Sequence, residues 1–189
     1  MKRDEFDQYR EEYPSKVTEW HSRLFADHPT QVHFNEYAAN RFFDSHKPGR
    51  VVEIGGWRGE LADVILPKES IESWDNYEVC AEAARSPVCS DPKYRSHAER
   101  VLLPPPCATL VMSHVIEHLT DEEARGVIAA TNASSLYVDA PLTEEGEDWG
   151  GSIGFHILKM GWNDLDSLIN SAGFGLVGRD KNARWYRRC

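Results

Sequence analysis

A glycine-rich turn between an apolar run and a helical segment constrains this sequence more than any other feature. The run Val51–Ile54 predicts a buried strand, and a helical pattern begins at Glu60. Between them lie Gly55, Gly56 and Gly59, residues that allow a chain to take positive φ or to approach a ligand closely. A helix that starts directly after such a turn presents backbone N–H groups to polar ligand atoms. This context predicts a ligand-binding loop, and a tight turn without a ligand is the alternative.

Short apolar runs and helical stretches alternate from residue 50 to the end of the chain. The predicted strands are 51–54, 71–78, 108–113, 135–138 and a last group starting at 175, and the predicted helices are 60–66, 81–85, 121–131 and 162–172. This alternation predicts an α/β fold with a mostly parallel sheet and helices on both faces. Ligands of such sheets bind beyond the carboxyl ends of the strands, where the strand order reverses.

The first 49 residues carry helical patterns but no recognisable motif. We expect helices over 4–24, interrupted at Pro14, and over 35–45, ended by the turn residues of 46–49. We interpret residues 1–49 as an N-terminal helical cap segment that precedes a core of residues 50–189. A chain of 189 residues is expected to form a single domain.

Charge and cysteine content narrow the classes of partner. The sequence has 31 acidic and 21 basic side chains, which gives a formal net charge of −10. Such an acidic protein repels phosphate backbones and anionic lipid, so general nucleic-acid and membrane-surface binding are disfavoured. The four cysteines form no C-x-x-C pair, and neither a secretory signal nor a membrane-spanning apolar run is evident. We expect a cytoplasmic protein with reduced thiols and no metal site.

The glycine turn resembles motif I of the class I S-adenosylmethionine-dependent methyltransferases. That motif reads (D/E)-x-G-x-G-x-G, and Glu53, Gly55 and Gly59 stand at matching positions. Trp57 occupies the place of the middle glycine, and the adjacent Gly56 restores some conformational freedom. The resemblance implies the family's Rossmann-like, doubly wound, seven-stranded sheet and the cofactor S-adenosylmethionine. It also implies that all five of these residues contribute to cofactor binding.

Two further positions of the family pattern follow the second and third strands of that family's fold. The family holds the cofactor's ribose with an acid at the end of the second strand, where Glu78 is the preferred match and Asp75 the alternative. A third acid often lies near the adenine, and His97 stands in its place. A histidine can still donate a hydrogen bond to adenine or stack on it. A surface histidine without a binding role is the alternative.

Residues 108–113 resemble the family's fourth strand, although Thr109 replaces its usual aspartate, and they extend the resemblance. Residues Val115–Leu119 are similar to the v-l-E-H-l pattern of the helix that follows this strand in small-molecule methyltransferases. By position, the resemblance places Ser113 and His114 in the cofactor pocket, beside its methionine part. Glu117 and His118 are expected to orient the helix or to form local hydrogen bonds. A direct part of His118 in the reaction is the alternative.

A later segment supplies a candidate general base. Residues 143–154 are acidic and glycine-rich, a composition typical of a substrate lid or of a surface insertion. Phe155 and His156 follow, before a predicted helix that ends in Ala172-Gly173-Phe174, an order similar to the family's late segment. His156 is the predicted catalytic base, because imidazole titrates near neutral pH and can take a proton from an acceptor.

Together these features predict an enzyme that transfers a methyl group from S-adenosylmethionine to a small-molecule acceptor. The cofactor is already activated, so the protein's task is alignment, desolvation and, where needed, proton removal. A non-catalytic Rossmann-like binding module and an NAD(P)-dependent oxidoreductase are the alternatives. Trp57, His97 and Thr109 depart from the family pattern, which favours the non-catalytic module. The strand–glycine–helix turn also occurs in NAD(P)-dependent oxidoreductases.

Overall fold

The computed structural model describes residues 19, 34–45, 47–67, 71–144 and 158–189. Within these ranges the strands are β1 (Gly49–Ile54), β2 (Ile71–Tyr77), β3 (Tyr94–His97), β4 (Thr109–Ser113), β5 (Ser135–Asp139), β6 (Phe174–Asp180) and β7 (Ala183–Arg188). The α-helices there are α1 (Glu36–Asp44), α2 (Glu60–Ile65), α3 (Ala81–Arg85), α4 (Asp121–Ala130) and α5 (Trp162–Ser171), and a 3₁₀ turn covers Ile116–His118.

The strands form one seven-stranded sheet in the order β3-β2-β1-β4-β5-β7-β6. The first five strands pair in parallel, whereas β7 runs antiparallel to both β5 and β6. The strand order reverses between β1 and β4, which is where ligands bind in doubly wound sheets. The predicted Rossmann-like, mostly parallel, seven-stranded α/β fold is confirmed.

The boundaries of the elements follow the local sequence closely. Every strand and helix predicted from residue 50 onward is present, with ends that agree within two residues. The apolar pattern does not predict β3, because three of its four residues (Arg95, Ser96 and His97) are polar. The family pattern implied a helix after the fourth strand, but the chain forms only the short 3₁₀ turn there before α4 begins.

Each face of the sheet is covered by its own hydrophobic cluster. One cluster joins β1, β4 and β5 to α4 and α5, with Val127, Trp162 and Ile169 among its buried members. The other joins the opposite face to α1 and α2, and it contains Phe43 and Trp74. Helices on both faces bury the central strands β4 and β5 almost throughout and leave the carboxyl ends of the parallel strands as the accessible edge.

Helix α1, which belongs to the predicted cap segment, is part of the core. Asn35 caps its N-terminus by accepting a hydrogen bond from the N–H of Ala38 at 3.0 Å. The rings of Phe42 and Phe43 lie 5.3 and 5.4 Å from those of Tyr137 and Trp74. Full burial of each phenylalanine contributes about 1.5–3 kcal/mol. The described part of the segment therefore packs on the sheet, and the boundary at residue 49 stays a prediction.

The C-terminal strand carries arginines with structural partners. Arg184 is 2% exposed and forms ion pairs with Glu144, at 2.7 Å, and with Asp166. Arg188 donates to the backbone carbonyls of Thr131 at 2.7 Å and Ala172 at 3.2 Å, the residues that follow α4 and α5. These two side chains therefore stabilise the ends of neighbouring elements.

Two expectations about the whole chain can be compared with the structure. The four cysteines, all within the described ranges, form no disulfide. Among the described residues, no helix has the length and apolar character needed to cross a membrane.

Candidate cofactor-binding site

The carboxyl ends of the parallel strands lie along one edge of the sheet. Ile54, the last residue of β1, pairs with Tyr77, the last residue of β2, and with Met112 of β4. Tyr77 pairs in turn with His97 at the end of β3. The glycine turn after β1 therefore has Glu78 on one side and the end of β4 on the other. This places most of the predicted cofactor-binding residues at one edge.

The glycine turn is a strongly curved segment with three left-handed residues. Gly55 has φ of 70°, Trp57 of 48° and Gly59 of 84°. The turn is also packed closely from outside. A Cβ built on Gly55 would lie 2.2 Å from Cγ2 of Val115, and one built on Gly59 would lie 2.5 Å from the hydroxyl oxygen of Tyr94. Glycine is therefore required at both positions, by conformation and by space.

Residues of β2 and the residue after it hold this turn from one side. The N–H of Gly56 donates to Asn76 Oδ1 at 2.9 Å, and Asn76 Nδ2 donates to the carbonyl of Trp57 at 3.1 Å. The N–H of Trp57 donates to Glu78 Oε2 at 3.0 Å, while the other carboxylate oxygen accepts from the N–H of Cys80 at 2.7 Å. The turn is thus fixed by hydrogen bonds before any ligand binds.

Glu53 lies beneath the turn and does not face the outside. Its side chain belongs to the face of the sheet that carries Trp74, whose indole Nε1 donates to Glu53 Oε2 at 2.8 Å. A Cβ on Gly56 would lie 2.3 Å from the Glu53 carboxyl, so the turn rests directly on this group. Glu53 is 1% exposed. In this geometry Glu53 supports the turn from beneath. The predicted direct contact of Glu53 with a ligand is not seen.

Three carboxyl groups crowd around the turn, and burial affects all of them. Burial, opposed by the hydrogen bond from Trp74 and reinforced by repulsion from Glu60 and Glu78, raises the pKa of Glu53 to about 8. Burial also raises the pKa of Glu78 to about 7, against the stabilising backbone N–H groups of Cys80 and Trp57. Burial raises the pKa of Glu60 as well. Burial is the main cause in all three cases, so the surroundings of the turn favour the uncharged form of these carboxyl groups.

The backbone donors of the turn are already used. The N–H of Gly55 donates to the carbonyl of Tyr77 at 2.8 Å, and that of Arg58 donates to Glu60 Oε2 at 3.2 Å. Together with the bonds of Gly56 and Trp57, every N–H group from residue 55 to 58 has a protein acceptor. The predicted ligand donors belong to the first turn of the following helix α2, and their role stays a prediction.

Ser113 and His114 lie at the end of β4, as predicted, and His114 has an unusual conformation. Its φ is 53°, in the left-handed region, and its N–H donates to the carbonyl of Asp139 at 2.7 Å. His114 Nδ1 lies 3.4 Å from Oε1 of Glu117, whose side chain is 1% exposed. Burial disfavours the imidazolium, but the hydrogen bond and the charge of Glu117 outweigh it and raise the pKa of His114.

Glu117 is ionised at the centre of this group. Burial opposes its charge, but the hydrogen bond from His114 and the charges of His118 and His114 hold its pKa below the ordinary value. His118 Nε2 lies 4.0 Å from the same oxygen. Glu117 therefore orients two histidines just beyond the carboxyl end of β4, beside β1.

The alternative ribose ligand, Asp75, is engaged elsewhere. Its carboxylate pairs with Arg50 at 3.1 Å and with His97 Nε2 at 3.0 Å. The imidazole of His97 also stacks on the ring of Tyr77, with centroids 4.6 Å apart. This geometry favours Glu78, which directly follows β2, as the acid nearest the turn. His97 lies at the same edge, and its predicted role at the adenine stays a prediction.

The predictions for His156 and for the acidic segment 143–154 fall on a part of the chain that is largely outside the described residues. His156, the predicted catalytic base, and all of that segment after residue 144 lie outside them. Among the residues that the structure does describe, no group of histidine, cysteine and acidic side chains is arranged to hold a metal ion.

Sequence reasoning missed Asn76, Glu60 and Val115 as parts of the site. Asn76 offered a signal, because a buried strand rarely contains an amide unless the amide has hydrogen-bond partners. Strand alternation also places it on the opposite face from Asp75. The sequence offers no comparable signal for Val115, since its role depends on the approach of two segments 60 residues apart.

Comparison with solved structures identifies the fold. The magnesium protoporphyrin IX methyltransferase ChlM from Synechocystis PCC 6803, solved with bound SAH, has a TM-score of 0.66 and 13% identity, covering 95% of this chain and 98% of that chain. The N-methyltransferase NodS from Bradyrhizobium japonicum WM9 has a TM-score of 0.62 and 15% identity, with coverages of 81% and 93%. Human N-acetylserotonin methyltransferase has a TM-score of 0.61 and 14% identity, with coverages of 82% and 51%.

At these identities the likeness establishes the fold alone. This chain has the class I S-adenosylmethionine-dependent methyltransferase fold, as its glycine turn and strand order indicate. No protein-family model matches the sequence, and no curated protein matches it.

Proposed function

We propose that this protein binds S-adenosylmethionine at the glycine turn and transfers its methyl group to a small-molecule acceptor. The observation that carries the proposal is the glycine turn at the point where the strand order reverses, lined by carboxyl groups instead of free backbone donors. Glu53, Glu60 and Glu78 all approach it, and the turn's own N–H groups are engaged with protein acceptors. A site lined by acceptor groups suits a ligand that brings hydroxyl and ammonium donors better than a ligand that brings phosphate groups.

The same observation argues against a dinucleotide cofactor. A dinucleotide-binding turn directs N–H groups at a pyrophosphate from the start of the following helix. Here Glu60 occupies the first position of α2 and accepts the N–H of Arg58. A pyrophosphate would meet a carboxylate where it needs donors. The sulfonium and ammonium groups of S-adenosylmethionine carry positive charge and avoid this conflict.

The described residues suit the parts of this cofactor. Glu78 accepts one backbone N–H on each carboxylate oxygen, and each oxygen retains a lone pair that can accept from a ribose hydroxyl. Gly55 and Gly59 let the turn approach the ligand closely. Ser113 and His114 are the proposed neighbours of the methionine part, across the turn. When bound, the cofactor supplies an activated methyl group, and the protein aligns it with the acceptor.

The acceptor side of the site rests on fewer residues. We propose that a histidine, His156 by its place in the sequence, removes a proton from the acceptor where the acceptor needs one removed. The net charge of −10 disfavours polyphosphate acceptors, so a neutral or cationic small molecule is the proposed class.

A non-catalytic module is the second candidate, and one observation favours it. Trp57 stands where the family pattern has glycine, and its side chain adds bulk to the turn. A module that retains the fold without the cofactor would keep the turn for structural reasons alone.

A thermal-shift comparison of ligands tests the proposal. We expect S-adenosylmethionine and S-adenosylhomocysteine to raise the melting temperature, and NAD and NADP at equal concentration to leave it unchanged. A subsequent assay with methyl-labelled S-adenosylmethionine and pooled small-molecule acceptors would detect transfer. Stabilisation by NAD would favour the oxidoreductase, and stabilisation by none of the four would favour the non-catalytic module.

A further inference from the structure

We infer that Asn76 is a positioning residue that replaces the conformational role of the glycine missing at position 57. The inference rests on the proposed function in one respect, that the cofactor binds at this turn. It concerns how the turn keeps its shape although Trp57 breaks the glycine pattern.

Trp57 is held in a conformation that its residue type disfavours. Its φ of 48° lies in the left-handed region, where a Cβ crowds the following carbonyl. A bulky residue at positive φ persists only where surrounding contacts determine it. The contacts that determine Trp57 must therefore be found in its neighbours.

Asn76 supplies two of these contacts, on both sides of the strained residue. Its Oδ1 accepts the N–H of Gly56 at 2.9 Å, and its Nδ2 donates to the carbonyl of Trp57 at 3.1 Å. One planar amide thus holds the peptide groups that precede and follow the Gly56–Trp57 pair. Glu78 adds the third contact by accepting the N–H of Trp57 at 3.0 Å.

The amide is itself fixed in place. Asn76 is fully buried, and its Nδ2 also donates to the hydroxyl of Tyr94 at 3.0 Å. A Cβ on Gly56 would lie 2.8 Å from Asn76 Oδ1, so the turn and the amide are in close contact. Among residues of this size, only an amide offers both a donor and an acceptor, because aspartate accepts twice and leucine does neither.

This arrangement predicts an energetic coupling between the two residues. With glycine at position 57 the left-handed conformation carries little cost, so the turn would need Asn76 less. With tryptophan there, loss of Asn76 should allow the turn to relax toward another conformation. The effect of removing Asn76 on ligand binding should therefore depend on the residue at position 57.

A double-mutant cycle of wild type, W57G, N76A and W57G/N76A tests this, with S-adenosylhomocysteine as the titrant in calorimetry. We expect N76A to weaken binding about tenfold or more in the wild-type background, and less than about threefold in the W57G background. The same cycle in urea unfolding should show a smaller loss of midpoint concentration for N76A when W57G is present.

Two further variants control the cycle. N76L keeps most of the side-chain volume and loses both the acceptor for Gly56 and the donor to Trp57, so it should weaken binding in the same direction as N76A. T109V removes a buried hydrogen bond of 3.0 Å to the carbonyl of Pro48, at the opposite edge of the sheet. It should leave affinity within about twofold of wild type, because distant sites act independently.

Equal effects of N76A in both backgrounds, in binding and in unfolding, would overturn the inference. If wild type binds no S-adenosylhomocysteine, the proposed function fails, and the unfolding cycle still decides whether Asn76 and Trp57 are coupled. If N76A does not fold, N76L and W57G/N76L complete the cycle in its place.

Discussion

Val115 fills the space beside Gly55: a Cβ built on Gly55 would lie 2.2 Å from Cγ2 of Val115. The two residues belong to segments that follow β1 and β4, the neighbouring strands between which the sheet reverses its order. Their contact joins the glycine turn to the segment that carries His114 and Glu117. The two halves of the candidate site are therefore packed directly against each other.

This contact predicts a strong effect of G55A. The added methyl group would clash with Val115, and φ of 70° is unfavourable for alanine. We expect a loss of about 2 kcal/mol or more in the free energy of unfolding, measured in urea, together with weaker binding of S-adenosylhomocysteine.

Gly126 provides the matched control for this substitution. It lies within α4, and a Cβ there would meet nothing within 4 Å. G126A should stabilise the protein by about 0.5–1 kcal/mol. A G55A variant as stable as G126A would contradict the packing described between the two segments.

The buried Glu53 predicts a pH dependence of stability. Burial raises its pKa from 4.5 to about 8, so the folded protein retains a proton that the unfolded chain releases as pH rises through this window. Stability therefore falls from pH 4.5 toward pH 8. In E53Q this loss disappears, and we expect its stability relative to wild type to improve by more than ~1 kcal/mol between pH 5 and pH 8.

Chemical denaturation at several pH values would measure this difference. Glu72 offers the control, because it lies on the same strand β2 with its side chain exposed. The stability of E72Q relative to wild type should stay constant over the same range. A constant difference for E53Q as well would show that Glu53 is not protonated in the folded protein.

The His114–Glu117 pair predicts a shift visible by NMR. Since the hydrogen bond and charge of Glu117 raise the pKa of His114 against the effect of burial, E117Q should lower that pKa. A titration of the imidazole ¹⁵N and ¹³C resonances would follow His114 in both proteins. An unchanged or raised pKa in E117Q would mean that another group, such as Asp139, controls the charge of His114.

The ion pair between Arg184 and Glu144 predicts unequal losses of stability when one or the other residue is replaced. R184M would leave Asp166 and Glu144 without their buried cation, and we expect a loss of about 2–3 kcal/mol in unfolding free energy. Glu144 has 58% of its side chain exposed, so E144Q should cost less than about 1 kcal/mol. Equal losses in the two variants would contradict a buried role for Arg184.

Most of the order of the elements was predictable, because every strand except β3 contains a short apolar run and helical patterns lie between these runs. In the structure, Asn35 before α1 and Thr120 before α4 cap the N-termini of these helices with their side chains. The strand β3 escaped prediction because its stability comes from pairing with β2 rather than from apolar residues. Local sequence does not encode that kind of stabilisation.

The site was predictable to the extent that it follows chain geometry. Glycines after β1 and an acid after β2 must meet at the same edge of a parallel sheet, and Glu78 does bond to the turn. The position of Glu53 beneath the turn was not evident, because its burial depends on Trp74 and on the closeness of Gly56. Asn76 likewise acquires its role only when the turn folds onto β2.

Calorimetric titration with S-adenosylhomocysteine of wild type, E78Q and D75N tests the central claim most directly. We predict a dissociation constant at or below ~100 μM for wild type, a range usual for enzyme ligands. E78Q should weaken binding about tenfold, because it alters the acid beside the turn, whereas D75N should have a smaller effect. No binding by folded wild type, or equal binding by wild type and E78Q, would contradict a cofactor site at this turn.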